Sequence, residues 1–78
     1  MVGKRRDPDA WPLEPGDYVQ RAQGWYAMSP NGLMANLSGH KVVEHQDGTI
    51  SVEPSILVSD GQGGSWHGYL IAGCWSEC

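Results

Sequence analysis

The sequence has no phenylalanine, only two cysteines and no long apolar run. A membrane-spanning helix needs about 20 apolar residues, and residues 1–15 lack the apolar stretch of a secretory signal. Two cysteines without such a signal are typical of a cytosolic protein with reduced thiols. We therefore expect a cytoplasmic protein that has no membrane segment.

The chain is also too short for most enzyme scaffolds. Its 78 residues allow one small domain, and a domain of this size buries only roughly 60% of its unfolded surface. Hydrophobic residues make up 40% and charged residues 18%, which is typical of a globular rather than a disordered chain. We expect one domain over residues 17–78, preceded by an irregular, flexible arm over residues 1–16 that contains three prolines.

No amphipathic helix of ten or more residues is visible, and short β-prone runs replace it. Residues 17–22 and 24–28 predict a hairpin, because they contain several β-forming tyrosine, tryptophan and valine residues. The alternative is a short helix that is capped by Asp17 and ends at Gly24. Residues 29–32, Ser-Pro-Asn-Gly, indicate a turn.

The clearest local pattern is a second hairpin around Asp47-Gly48, a dipeptide that favours a two-residue type I′ turn. Folding about this turn predicts four cross-strand pairs: Gln46 with Thr49, His45 with Ile50, Glu44 with Ser51, and Val43 with Val52. One face is then mainly apolar and buried, and it carries Val43, His45, Ile50 and Val52. The other face is polar and carries Val42, Glu44, Gln46, Thr49, Ser51 and Glu53.

The rest of the chain continues this pattern. Pro54-Ser55 indicates an edge, a bulge or a strand start before the apolar residues 56–58. Residues 59–64 contain three glycines and predict a mobile loop, residues 65–71 a strand, and Ala72-Gly73 a turn. The predicted fold class is all-β: a small antiparallel sheet or partly open barrel of five to seven short strands built from hairpins.

The charge is unevenly distributed. Residues 7–78 contain only Arg21 and Lys41 as basic residues against nine acidic ones, while Lys4, Arg5 and Arg6 form a short basic leader. An acidic body disfavours direct binding to nucleic acid and favours a basic protein partner. The alternative is that the charge serves solubility alone.

Metal and catalytic chemistry have weak support. Structural zinc needs four ligands; Cys74 and Cys78, with His40, His45 or His67, fit this pattern loosely, and no upstream cysteine pair is present. A nucleophilic pair of Cys74 and His67 lacks an orienting group and an oxyanion site at recognisable spacing. We expect no cofactor, no metal and no catalytic residues.

The strand over residues 65–71 carries the densest chemistry. Alternation places Trp66, Gly68 and Leu70 on one face, as core, and His67, Tyr69 and Ile71 on the other. The candidate partner-binding residues are on this exposed side and in the preceding loop: Asp60, Gln62, His67 and Tyr69. If Tyr69 is instead a core residue, its truncation lowers stability rather than binding. If a folded Tyr69→Ala variant binds its partner unchanged, the polar hairpin face with Glu44, Gln46, Thr49, Ser51 and Glu53 is the next candidate.

Three stretches, GWYAMSPNG, NLSGHKVVEHQDGTISVEPSILV and GSWHGYLIAGCW, resemble a family of small uncharacterised phage and prophage proteins over residues 24–75. More distantly, PSILV followed by an aromatic-histidine segment is similar to a Pro-Ser-Ile family with a zinc-ribbon-like site. The cysteines of that site are absent here, since Trp66 precedes His67 where a cysteine is common. The resemblance implies a phage or prophage source, a bacterial host cytoplasm and an all-β fold, and it implies no catalytic residues.

These features together predict a non-enzymatic accessory protein that binds and occludes a basic surface of a host or defence protein. Anti-CRISPR inhibitors are the class with this size, charge and source, and the comparison is one of analogy. Two alternatives stay open. One is a small metal- or ligand-binding β domain, and the other is a minor virion or assembly component.

Overall fold

The computed structural model describes all 78 residues and contains no helix. The chain therefore has no helical element that could cross a membrane. Eight strands follow one another along the chain: β1 (Lys4–Arg6), β2 (Asp17–Arg21), β3 (Gly24–Met28), β4 (Met34–Asn36), β5 (Lys41–Glu44), β6 (Ile50–Ser59), β7 (Ser65–Ile71) and β8 (Cys74–Glu77). The all-β prediction is confirmed, although the strand number exceeds the predicted five to seven.

The strands form two sheets, which are not closed into one barrel. The first sheet has the order β1-β2-β3-β4 and the second has the order β5-β6-β7-β8. Every neighbouring pair is antiparallel except β1 and β2, which are parallel. The hairpin predicted over residues 17–28 is confirmed as β2 and β3, and the short-helix alternative is wrong.

The hydrophobic core contains residues of both sheets. Ten buried residues form one cluster: Tyr18, Ala27, Ala35, Leu37, Ile50, Val52, Ile56, Trp66, Leu70 and Trp75. Within it, the rings of Trp66 and Trp75 meet edge to face, with centroids 5.3 Å apart, an arrangement that adds stability beyond area burial. Both indoles belong to the second sheet, which therefore supplies the largest side chains of the core.

The predicted hairpin of β5 and β6 forms, but its register is shifted by one residue. Val52 pairs with Val42, not with Val43. The loop has three residues instead of two, because the His45 N–H donates to the Thr49 carbonyl at 2.8 Å and the Gly48 N–H donates to the His45 carbonyl. Only Gly48 has a positive φ, of 88°, as in a type I turn followed by a left-handed glycine.

The shift reverses the two faces of β5, because side chains alternate across a strand. Val42 packs against the core cluster, and Val43 is exposed. The prediction of Val43 as a buried partner of Val52 is therefore wrong, whereas Val52 itself is buried. Of the edge, bulge or strand start that Pro54-Ser55 indicated, the structure has a bulge: the register shifts between Val52 and Ile56, and β6 continues through it as one strand.

The sequence predicts an irregular arm over residues 1–16, but part of this amino-terminal segment is a strand. Residues 4–6 form β1, which pairs in parallel with β2. Just before it, Val2 forms a bridge with Cys74 of the second sheet, and the Gly3 N–H donates to the Gly73 carbonyl at 2.7 Å. Residues 1–6 therefore connect the two sheets, through pairings that a run of charged residues does not predict.

Residues 7–16 are tied to the first sheet. Leu13 and Val19 are buried but lie outside the core cluster. Val19 follows Tyr18 on β2, so its side chain points to the outer face of the sheet. Leu13 therefore anchors this segment through its burial, whereas Trp11 is 74% exposed.

Candidate functional site

Strand β7 presents the alternation that the sequence predicts. Trp66, Gly68 and Leu70 are buried, and His67, Tyr69 and Ile71 are exposed. The alternative in which Tyr69 is a core residue is therefore wrong, since the side chain is 44% exposed. The strand pairs on both sides, so His67, Tyr69 and Ile71 project from the middle of the second sheet.

Neighbouring strands extend this exposed surface. Leu57 of β6 lies opposite His67 and is 69% exposed, and Ile71 is 58% exposed. Glu53 and Tyr69 line the same shallow depression of about 290 Å³, together with Ile71. We refer to this surface as the docking face, and its residues are Val43, Ser51, Glu53, Leu57, His67, Tyr69 and Ile71.

Leu57, Ile71 and Val43 are not among the site residues that the sequence predicts. Leu57 lies in the apolar run of residues 56–58, and such a run does not show which side chains face the core and which face solvent. Ile71 could have been found, because it alternates with Tyr69. Glu53 was assigned to the alternative hairpin face, and the pairing of β6 with β7, in which Val52 lies opposite Leu70, places Glu53 beside Tyr69.

His67 is held in place by hydrogen bonds around the bulge in β6. Its Nε2 lies 2.9 Å from the Oγ of Ser55. The Ser55 carbonyl in turn lies 3.2 Å from Nε2 of His40. The bulge thus places a serine where it fixes the imidazole of His67 on the docking face.

Cys78, and not Cys74, is the cysteine beside His67. The two-residue turn Ala72-Gly73 pairs Ile71 with Cys74, so counting back along both strands places His67 opposite Cys78. The Cys78 N–H donates to the His67 carbonyl at 2.9 Å, and its Sγ lies 4.0 Å from His67 Nε2. Both cysteines are free and exposed, and no group of three or more potential metal-ligating side chains occurs.

The glycine-rich loop after β6 is ordered by Asp60. One oxygen of this carboxylate, Oδ1, accepts hydrogen bonds from the N–H groups of Gln62 at 2.7 Å and Gly64 at 2.9 Å. Gly61 and Gly63 have positive φ angles of 75° and 94°, which glycine adopts without strain. Asp60 therefore shapes the loop from within, while its side chain and that of Gln62 remain exposed.

The four predicted site residues are brought only partly together. His67 and Tyr69 share the docking face, while the loop with Asp60 and Gln62 adjoins the Ser65 end of β7. Tyr69 is four residues further along the extended strand than Ser65, which corresponds to a distance of about 13 Å. Leu57, Ile71 and Glu53 are therefore closer companions of Tyr69 than Asp60 is.

The net negative charge lies entirely in the second half of the chain. Residues 1–40 contain four basic and four acidic residues, whereas residues 41–78 contain Lys41 and five acidic residues. That second half includes all four strands of the second sheet.

Scans of protein-family models, curated proteins and solved structures found no match to this chain.

Proposed function

We propose that this chain is a non-enzymatic binding protein, whose docking face binds a partner protein with a basic surface. The observation that carries the proposal is the exposure of Leu57, Tyr69 and Ile71 on one face of the acidic sheet. Large apolar side chains that cluster on a surface and are rimmed by polar groups are typical of interaction sites. Glu53 lies beside Tyr69 on this face, opposite Lys41 of β5.

The composition of the docking face agrees with the known anatomy of interfaces. Tyrosine is enriched at interface hot spots, because its ring buries a large area at a low cost in side-chain entropy. The strand backbone of β7 and the hydrogen bond between Ser55 and His67 hold His67 in a fixed position beside Tyr69. A preorganised face of this kind loses little conformational entropy when it binds.

The charge of the second sheet supports a basic partner. Basic protein surfaces commonly bind nucleic acid, and an acidic protein competes with nucleic acid for such a surface. We therefore propose that binding occludes the basic surface of a host or defence protein. This is the mode of action of an accessory protein from a phage or prophage, including inhibitors of the anti-CRISPR type.

Affinity capture from a bacterial lysate tests the proposal. Tagged wild-type protein should retain a basic partner at low salt and release it at high salt, because exposed charge pairs are screened by salt. Added nucleic acid should also displace the partner, because both ligands occupy the same basic surface. Tyr69→Ala and Leu57→Ala should each reduce capture.

Trp11→Ala provides the matched control. Trp11 is 74% exposed but belongs to the segment that accompanies the first sheet, so its loss should leave capture unchanged. A captured partner that still binds nucleic acid in the complex would contradict occlusion. Capture that is insensitive to both Tyr69→Ala and Leu57→Ala would show that the docking face is not the binding surface.

A further inference from the structure

A groove lies on the outer side of the first sheet, away from the docking face. Its volume is about 430 Å³, and it is lined by Trp11, Arg21, Gln23, Tyr26 and Met34. Small-molecule sites usually have volumes of roughly 300–1,000 Å³. We refer to this feature as the Trp11 groove.

The apolar walls of the Trp11 groove come from separate parts of the chain. Trp11 precedes β2, Tyr26 belongs to β3 and Met34 begins β4. Trp11 is 74% and Met34 is 40% exposed, and Tyr26 is half-buried. Two aromatic rings and a thioether that border one depression favour a flat aromatic ligand, since ring faces and sulfur both contact aromatic rings favourably.

The segment that carries Trp11 is fixed to the sheet. Arg21 Nη2 donates a hydrogen bond to the Ala10 carbonyl at 2.8 Å. Farther along, Asp17 Oδ2 accepts hydrogen bonds from Arg6 Nη1 at 2.7 Å and from the Glu14 N–H at 2.9 Å. The backbone that carries Trp11 is therefore held against the sheet, which lowers the entropy cost of binding.

Arg21 supplies a charge that nothing in the protein neutralises. The two ion pairs within 4.0 Å are Arg5 with Glu44 and Arg6 with Asp17, so Arg21 has no carboxylate partner. A guanidinium has five N–H donors, and the bond to Ala10 uses one of them. The remaining donors suit a planar carboxylate, which a guanidinium binds through paired hydrogen bonds.

We propose that the Trp11 groove binds a small aromatic carboxylate. The ring contacts Trp11, Tyr26 and Met34, and the carboxylate accepts hydrogen bonds from Arg21. This site is independent of the docking face, because the two lie on different sheets. The ligand is small, so the expected dissociation constant for a simple probe is on the order of 1 mM.

Titration of ¹⁵N-labelled protein with indoleacetate, followed by NMR, tests the proposal. The indole N–H signal of Trp11 and the side-chain amide of Gln23 should shift and saturate, while the signals of β7 stay unchanged. Indoleacetamide has nearly the same shape without the charge, and it should bind about tenfold more weakly, because a charge-assisted hydrogen bond is lost. Equal binding of the acid and the amide would overturn the role of Arg21.

Variants separate this site from the docking face. Trp11→Ala should abolish the saturable shifts at Gln23 without a change in melting temperature, because Trp11 is mostly exposed. Arg21→Lys retains a positive charge but not the paired donors. It should weaken the binding of indoleacetate more than the binding of indoleacetamide. Leu57→Ala should impair partner capture and leave indoleacetate binding intact. Shifts that do not saturate, or that persist in Trp11→Ala, would overturn the proposal.

Discussion

The ring of Trp66 occupies the space in which a side chain at position 68 would lie, so Gly68 is the residue that permits this ring position. A β-carbon at residue 68 would also meet the carbonyl oxygen of Ser76 on the neighbouring strand. Trp66 in turn packs against Trp75 within the core. The absence of a side chain at Gly68 therefore allows β7 and β8 to pair beneath two packed indoles.

Gly68→Ala should destabilise the protein by about 1–3 kcal/mol, as overpacking of a close-packed site usually does. Gly39→Ala is the matched control, because a β-carbon there meets no atom within 4 Å. Chemical denaturation of both variants measures the difference. Equal stability of Gly68→Ala and Gly39→Ala would contradict the packing described for Trp66.

The register of the β5–β6 hairpin predicts an ordered effect of three valine substitutions. Val52→Ala should cost about 1–3 kcal/mol because Val52 is fully buried. Val42→Ala should cost about 1 kcal/mol, since Val42 packs against the core from a partly buried position. Val43→Ala should change stability by less than about 0.5 kcal/mol. If denaturation curves showed that Val43→Ala destabilises the protein as much as Val52→Ala, the hairpin would have the two-residue turn and its register instead.

Tyr69→Ala should weaken partner binding by about 2 kcal/mol or more, which is roughly a thirtyfold loss of affinity. The melting temperature should change little, because Tyr69 is 44% exposed. Calorimetry or surface binding with the captured partner, alongside a melting curve of the same sample, checks both expectations. A large fall in melting temperature with unchanged affinity would assign Tyr69 a structural role.

We predict that the protein loses stability in alkaline solution because of the buried hydroxyl of Tyr18. Burial raises the pKa of its hydroxyl, with a further contribution from the charge of Asp47. The unfolded chain therefore loses this proton at a lower pH than the folded chain does, and stability falls as pH rises through the ordinary tyrosine pKa toward the raised one. Tyr18→Phe removes the ionisable group, so its melting temperature should fall less steeply than that of the wild type above the ordinary pKa.

Much of the second sheet follows from local sequence. Strand β7 alternates because one face meets the core and the other meets solvent, and that pattern predicts Tyr69 as exposed. The Asp47-Gly48 dipeptide predicts a turn but accepts both two- and three-residue loops, so the register of Val43 was not determined by it. Leu57 is exposed because it alternates with the buried Ile56, and the apolar run of residues 56–58 does not reveal this alternation.

The first sheet is harder to predict, because it depends on distant pairings. Strand β1 consists of three basic residues and gains its strand geometry from parallel pairing with β2. The Trp11 groove combines Trp11 with Tyr26 and Met34, residues that no local spacing relates to one another. Contacts between residues far apart in sequence are set by tertiary packing, which local propensity does not record.

The uneven distribution of charge gives the molecule an electric dipole. If the partner is basic, as proposed above, its field turns the half that contains Lys41 and five acidic residues toward it before contact. The neutral half then points away, and it carries the Trp11 groove with it. A protein docked in this orientation keeps the groove open to the surrounding solution, so a small ligand can enter or leave while the partner stays bound.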